Sequence, residues 1–167
     1  MDRPPRSPRH GAFDKEFAAD TVIYGLLMGV PPLLTFAIVV YGLGDGNLGV
    51  GCNENLNSTC IVVYRARATV FASLTIIILL HAFEMKDTRK SLFKMNLLAN
   101  RTLFYSVVGG GVALFPTIYI PGLNEVLFKM MGISWEWGLC AASVGFYLVG
   151  TEGYKACKRR FWKSEQV

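Results

Sequence analysis

A chain of 167 residues has room for one domain, and 52% hydrophobic content against 17% charged is unusual for a soluble fold of that size. The net charge of +5 is not spread as a nucleic-acid surface would need: lysines and arginines crowd beside long apolar runs, which points to a lipid bilayer and to no nucleic acid. No Gly-rich phosphate loop, no histidine and cysteine cluster with metal spacing and no nucleophile with a base stands in the sequence, so the residues make no case for an enzyme.

Four apolar runs organise the rest: 18–43, 68–83, 102–120 and 133–149. Each comes near the length of a spanning helix, and no comparable alternating pattern of strands occurs. The expectation is an all-α membrane protein, a four-span transmembrane helical bundle with helices at about 18–43, 64–85, 102–120 and 133–154. A lead-in over 1–17 and a tail over 164–167 flank a membrane domain over 18–163. Four basic residues precede the first run, five lie between the second and third, and five follow the fourth, whereas the loop from Gly44 to Val63 has none. By the positive-inside rule both termini are cytosolic, and the first and third loops face outward. The first run is too long for a signal-peptide core and serves as its own insertion signal. A multi-pass position in the plasma membrane or an endomembrane follows.

In chain order, the proline- and arginine-rich lead-in is expected to be extended and solvated. The first helix carries Gly25 and Gly29 at small-xxx-small spacing, read as a packing face, and Pro31-Pro32, read as a kink. With no charged residue after Asp20, that helix is expected to carry no chemistry. The outer loop holds Cys52 and Cys60, seven residues between them, which an oxidising compartment would join in a disulfide; two free thiols are the alternative. Asn57-Ser58-Thr59 is a glycosylation sequon, a triplet that arises often by chance.

The second helix is the centre of the reading. Between Arg67 and Glu84 lie 16 uncharged residues, about 24 Å of helix against a hydrocarbon core of about 30 Å, so charged flanks are drawn to the boundary. Glu84 shares a helical face with Ala66, Thr69, Ser73, Ile77 and His81, while Leu74, Ile76, Leu79 and Phe83 lie elsewhere. Two readings fit: Glu84 is a paired or functional carboxylate within the membrane, or it belongs to the cytosolic rim with Lys86, Asp87 and Arg89. From Lys86 to Arg101, mixed leucines and lysines suit a short interfacial helix. The third helix contains Gly109, Gly110, Gly111 and Pro116, and Tyr119, Trp135 and Trp137 flank the outer turn as belt residues. In the fourth, Gly138, Ala142 and Gly145 read as a packing face, Cys140 as a packed thiol and Cys157 as a candidate for acylation.

The sequence also resembles a known family. MDRPPRSPRHGAF is similar to the cytosolic connection after the sixth membrane helix of P-type cation ATPases. YGLGDGNLG, CNENLNSTC, VVYRARATVFASLT and FEMKDTRKSLFKM resemble the seventh and eighth helices of the fungal sodium/potassium-exporting ATPases, and FPTIYIPGLNEVLFKMMGISWEWG resembles their ninth helix, outer turn and the start of the tenth. The resemblance implies a cation-site or site-lining role for Glu84, with sodium or potassium as the ion, and it supports the disulfide between Cys52 and Cys60. It implies as partners the remaining helices and cytosolic domains of a pump. The family's DKTGT phosphorylation motif, its nucleotide domain and its other cation ligands are not in this sequence, so ATP and magnesium belong to the parent enzyme and no cofactor is expected here. The expectation is a C-terminal membrane-domain fragment that scaffolds the transport helices and is not an enzyme alone. A truncated or split gene, or internal initiation, would produce it. The rivals are a stand-alone four-span adaptor or assembly protein, an untranslated pseudogene product, and a small channel. Loss of Glu84 is expected to leave expression intact.

Overall fold

The computed structural model describes residues 15–44, 46, 48–52, 60–86, 91–92 and 96–161. Four long helices carry them: α1 (Lys15–Leu43), α2 (Cys60–Glu84), α3 (Arg101–Tyr119) and α4 (Trp137–Phe161). Their bounds differ from the sequence expectation by a few residues at α1 to α3, and α4 lies four residues later at its start and seven later at its end. The reason is local. Residues around Ser134 form a turn in which the Trp137 and Gly138 amides bond back to Ser134 and Trp135, so helix begins only at Trp137.

Length and hydropathy make α1, α2 and α3 candidate membrane spans, beginning at Phe17 for α1. Helix α4 is as long as α2 but carries Glu152, Lys155, Lys158, Arg159 and Arg160, which lower its mean hydropathy. A four-span bundle remains consistent with its placement, because two of those cations are buried within the bundle. A charge facing protein partners is tolerable where one facing lipid is not.

The centre is α2, which packs against α1, α4 and α3, while α3 leans mainly on α2. Chain alternation makes α1 antiparallel to α2. Helices α2 and α4 run parallel, since Arg65 meets Glu136 at one end and Glu84 meets Thr151 at the other. The face expected from helical spacing is the one that packs: Ala66, Thr69, Ser73, Ile77 and Glu84 are all buried. Phe83, placed elsewhere by that reading, is buried as well, whereas Leu74 is exposed. Two apolar clusters lie along the outer half of α2. Ala68 and Ala72 pack with Leu114 and Ile118 of α3, Ile133 and Cys140; Ala66 packs with Val39 and Val40 of α1.

Helix α1 is continuous through Pro31 and Pro32. Each proline lacks the N–H that an α-helix bonds to the carbonyl four residues back. A Cβ added at Gly25, Gly29, Gly138 or Gly145 would meet nothing within 4 Å, so these glycines form no contact inside the described bundle. Close approach is made at Gly110, within the glycine run read as allowing it, and at Gly150, where an added Cβ would stand 2.9 Å from Leu79 and 2.5 Å from Leu27 respectively. Between α2 and α3, the described part of the expected interfacial helix is a single 3-10 turn, Leu97–Ala99, capped by Asn96. Asn100 caps α3 through the Leu103 amide, as a side-chain acceptor at a helix start should. The outer turn after α3 reverses at Gly122, whose φ of 86° suits a residue without a side chain, and continues through a π-turn at Leu123–Leu127.

Candidate functional site

Polar residues on α2 and α4 recur at helical spacing and face each other. On α4 the buried line is Glu136, Cys140, Ser143, Tyr147, Thr151, Lys155 and Lys158, steps of three and four residues. On α2 the facing line ends at His81 and Glu84. In an apolar surrounding each such group needs a partner, and the pairing holds the two helices in register.

Glu84 is 0% exposed. Its Oε1 accepts a hydrogen bond from Thr151 Oγ1 at 2.9 Å, and its Oε2 accepts one from Tyr147 Oη at 3.2 Å. Lys155 Nζ, also 0% exposed, stands 3.8 Å from Oε2. The Tyr147 hydroxyl lies 2.8 Å from His81 Nδ1, so the contact continues to the next turn of α2. His81 in turn faces the Tyr24 ring of α1, centroids 5.2 Å apart. Lys155 Nζ and Tyr24 Oη are buried and form no hydrogen bond among the described residues. The carboxylate points into the bundle, its negative charge countered by an ammonium from another helix.

Beside this cluster, α1 is tied to α4. Asp20 accepts from Tyr154 Oη and from Lys158 Nζ, both at 2.6 Å. Asp20 sits where antiparallel α1 and α4 bring the start of one beside the end of the other, and its contacts tie the two helices together. Glu152 of α4 accepts from the Leu92 amide at 2.8 Å and so anchors the segment after α2.

At the outer end of α2 a second set of contacts appears. Cys52 and Cys60 form a disulfide with Cα atoms 5.5 Å apart, and Tyr64 Oη donates to the Cys52 carbonyl at 2.7 Å. Glu136, 0% exposed, accepts from the Ser134 amide at 2.8 Å and faces Arg65 at 3.8 Å. The expected belt residues also find polar partners: Trp137 Nε1 donates to Tyr119 Oη, whose own proton goes to the Ile133 carbonyl. Cys140 is buried, with its thiol directed at the Thr69 carbonyl 3.5 Å away, and Cys157 is exposed. Asn57 lies outside the described residues.

Sequence reading found Glu84, Cys52 and Cys60 but missed Tyr147, Thr151, Lys155, Asp20, Lys158 and Glu136. A signal for the α4 residues was present. Positions 147, 151 and 155 repeat every four residues inside an otherwise apolar helix, a polar stripe that only a protein-facing side could carry. Among the described residues no three histidine, cysteine, aspartate or glutamate side chains converge as a metal-holding group.

Comparison with known proteins places this bundle. The family described as the C-terminus of cation transporting ATPases matches residues 1–157. The chain is 36% identical over 174 residues to the sodium/potassium exporting P-type ATPase cta3 of Schizosaccharomyces pombe, covering 95% of this chain and 17% of that protein. It is 36% identical over 180 residues to sodium/potassium exporting P-type ATPase 1 of Saccharomyces cerevisiae, covering 100% of this chain and 16% of that one. A calcium-transporting ATPase of Bacillus subtilis is 27% identical over 139 residues, covering 83% of the chain. The chain thus spans about a sixth of the length of these fungal relatives.

Proposed function

The chain belongs to the family of cation transporting ATPase C-terminal domains, and from that premise we propose that it serves as the support bundle of a sodium/potassium-exporting pump, with Glu84 lining the cation path. It is a multi-pass membrane protein of this family, similar to fungal sodium/potassium exporting ATPases. Within a whole pump the four helices would brace the transport helices, both ends of the bundle domain facing the cytosol by the distribution of basic residues. The observation that supports the Glu84 role is its burial among oxygens: a carboxylate and two hydroxyls meet inside a membrane bundle. An intramembrane acid held in this way is by default a functional group or its electrostatic support.

By itself the chain would not hydrolyse ATP. Phosphoryl transfer needs a positioned nucleophile and a charge-stabilising cradle, and these helices offer neither. The test replaces the matching segment of a fungal exporter with this chain and measures sodium-dependent transport. Transport is expected in the graft, with weakened cation dependence after Glu84→Gln. Unchanged cation dependence in that variant would remove Glu84 from the path and leave a scaffold alone. Labelled phosphate on an aspartate of the isolated chain would overturn the non-catalytic reading.

A further inference from the structure

The Glu84 cluster contains an ammonium group whose role the scaffold reading does not explain. Lys155 is 0% exposed and donates no hydrogen bond among the described residues. It nevertheless stands 3.8 Å from Glu84 Oε2, close enough for charge attraction and too far for a direct hydrogen bond. A lysine so placed works as a point charge on a flexible stem, unlike the directional fork of an arginine. Around the same carboxylate the fixed contacts come from oxygens: Tyr147 Oη at 3.2 Å and Thr151 Oγ1 at 2.9 Å. Both hydroxyls donate to Glu84, so one hydrogen bond reaches each carboxylate oxygen, while Lys155 faces the carboxylate as a charge without a hydrogen bond.

We propose that Lys155 is a tethered counter-cation of Glu84, supplying inside the bundle the single positive charge that a small monovalent cation would otherwise bring to the Glu84 carboxylate. Charge decides the ligand class. Glu84 and Lys155 together are neutral, and a free monovalent ion in place of the ammonium keeps that balance. A divalent ion beside Lys155 would add two positive charges to a buried, already compensated pair. Lys155 then holds the place of a free ion: while it is present, the Glu84 carboxylate has no uncompensated charge with which to recruit one. The other ionic contact nearby, Asp20 with Lys158, is internally matched at 2.6 Å and contributes no spare charge to this balance. The proposal deepens the reading in which Glu84 lines a cation path, and it rests on that reading only for its meaning in transport.

The experiment uses the full chain in lipid nanodiscs and follows the thermal unfolding midpoint in sodium chloride and in N-methylglucamine chloride of equal ionic strength. Wild type is expected to unfold at the same temperature in both. Lys155→Met and Lys155→Gln are expected to gain a sodium-dependent rise of several degrees, because bound ion stabilises the folded state by mass action. That gain should vanish in Lys155→Met/Glu84→Gln, which has no charge to balance. Folding of the single variants only in sodium would support the proposal equally. A sodium response in wild type, none in either folded single variant, or failure of both to fold even in sodium would overturn it. If the nanodisc response appears while Glu84→Gln leaves the grafted pump unchanged, the cation-path reading falls and the tethered lysine stands.

Discussion

The two ends of α2 are fastened to their surroundings by different means. At the outer end a covalent bridge and a tyrosine on a backbone carbonyl do the holding, and the ion pair there has one foot in solvent, with the Arg65 side chain 40% exposed. At the other end no covalent link occurs among the described residues, and both partners of the Glu84–Lys155 pair are fully buried. Arg65 and Glu84 lie nineteen positions apart, about 28 Å of helix, so the two fastenings are separated by about the thickness of a bilayer core. The outer one is rigid by connectivity. The inner one is held by charge and hydrogen bonds, which can exchange partners without breaking the chain.

The difference predicts how each end fails. The largest effect is expected from Glu84→Ala, which strands the Lys155 ammonium in an apolar interior; uncoupling a buried pair in this way costs about 3 to 5 kcal/mol. Pairing Glu84→Gln with Lys155→Met should be milder than Lys155→Met alone, because it removes both charges. Thermal unfolding of the four proteins in nanodiscs gives the coupling, and simple additivity would show that the pair does not act as a unit.

A smaller loss is expected on opening the outer clamp. Replacing both Cys52 and Cys60 by serine frees a short ring whose closure is worth about 2 to 3 kcal/mol in the chain-entropy account. The same bridge predicts that both thiols resist alkylation in membranes until a reductant is added. Ready labelling without reductant would place the pair outside an oxidising compartment.

The smallest effect belongs to Arg65→Ala. Its head is partly solvated, but its partner Glu136 is fully buried and keeps only the Ser134 amide among the described residues, so the loss should be about 1 to 2 kcal/mol, the lower part of the range for leaving a buried acceptor short of a partner. A loss as large as that of Glu84→Ala would mean that the outer and inner ends are held by the same kind of contact.

Much of this was legible before any coordinates. The position of Glu84 on the Ala66–Thr69–Ser73–Ile77 face follows from helical spacing, and that face is buried. The glycines misled for a related reason. Small-xxx-small spacing marks where a helix can be approached closely, but Gly25, Gly29, Gly138 and Gly145 meet no partner in this bundle, while Gly110 and Gly150 do. Spacing says which residues share a face. It does not say which neighbour comes to that face.

The sequence by itself determined the long apolar helices, their alternation, the family and the reach of Cys52 to Cys60, because these depend on composition and short separations along one chain. Only the tertiary structure decided that Lys155 and Thr151 answer Glu84 and that Lys158 answers Asp20. These partners lie 67 and 138 residues apart or nearby in number, and their meeting depends on which helices are neighbours and at what axial offset. No local propensity encodes that offset. It is set where buried polar groups on separate helices have no water to turn to and must find one another.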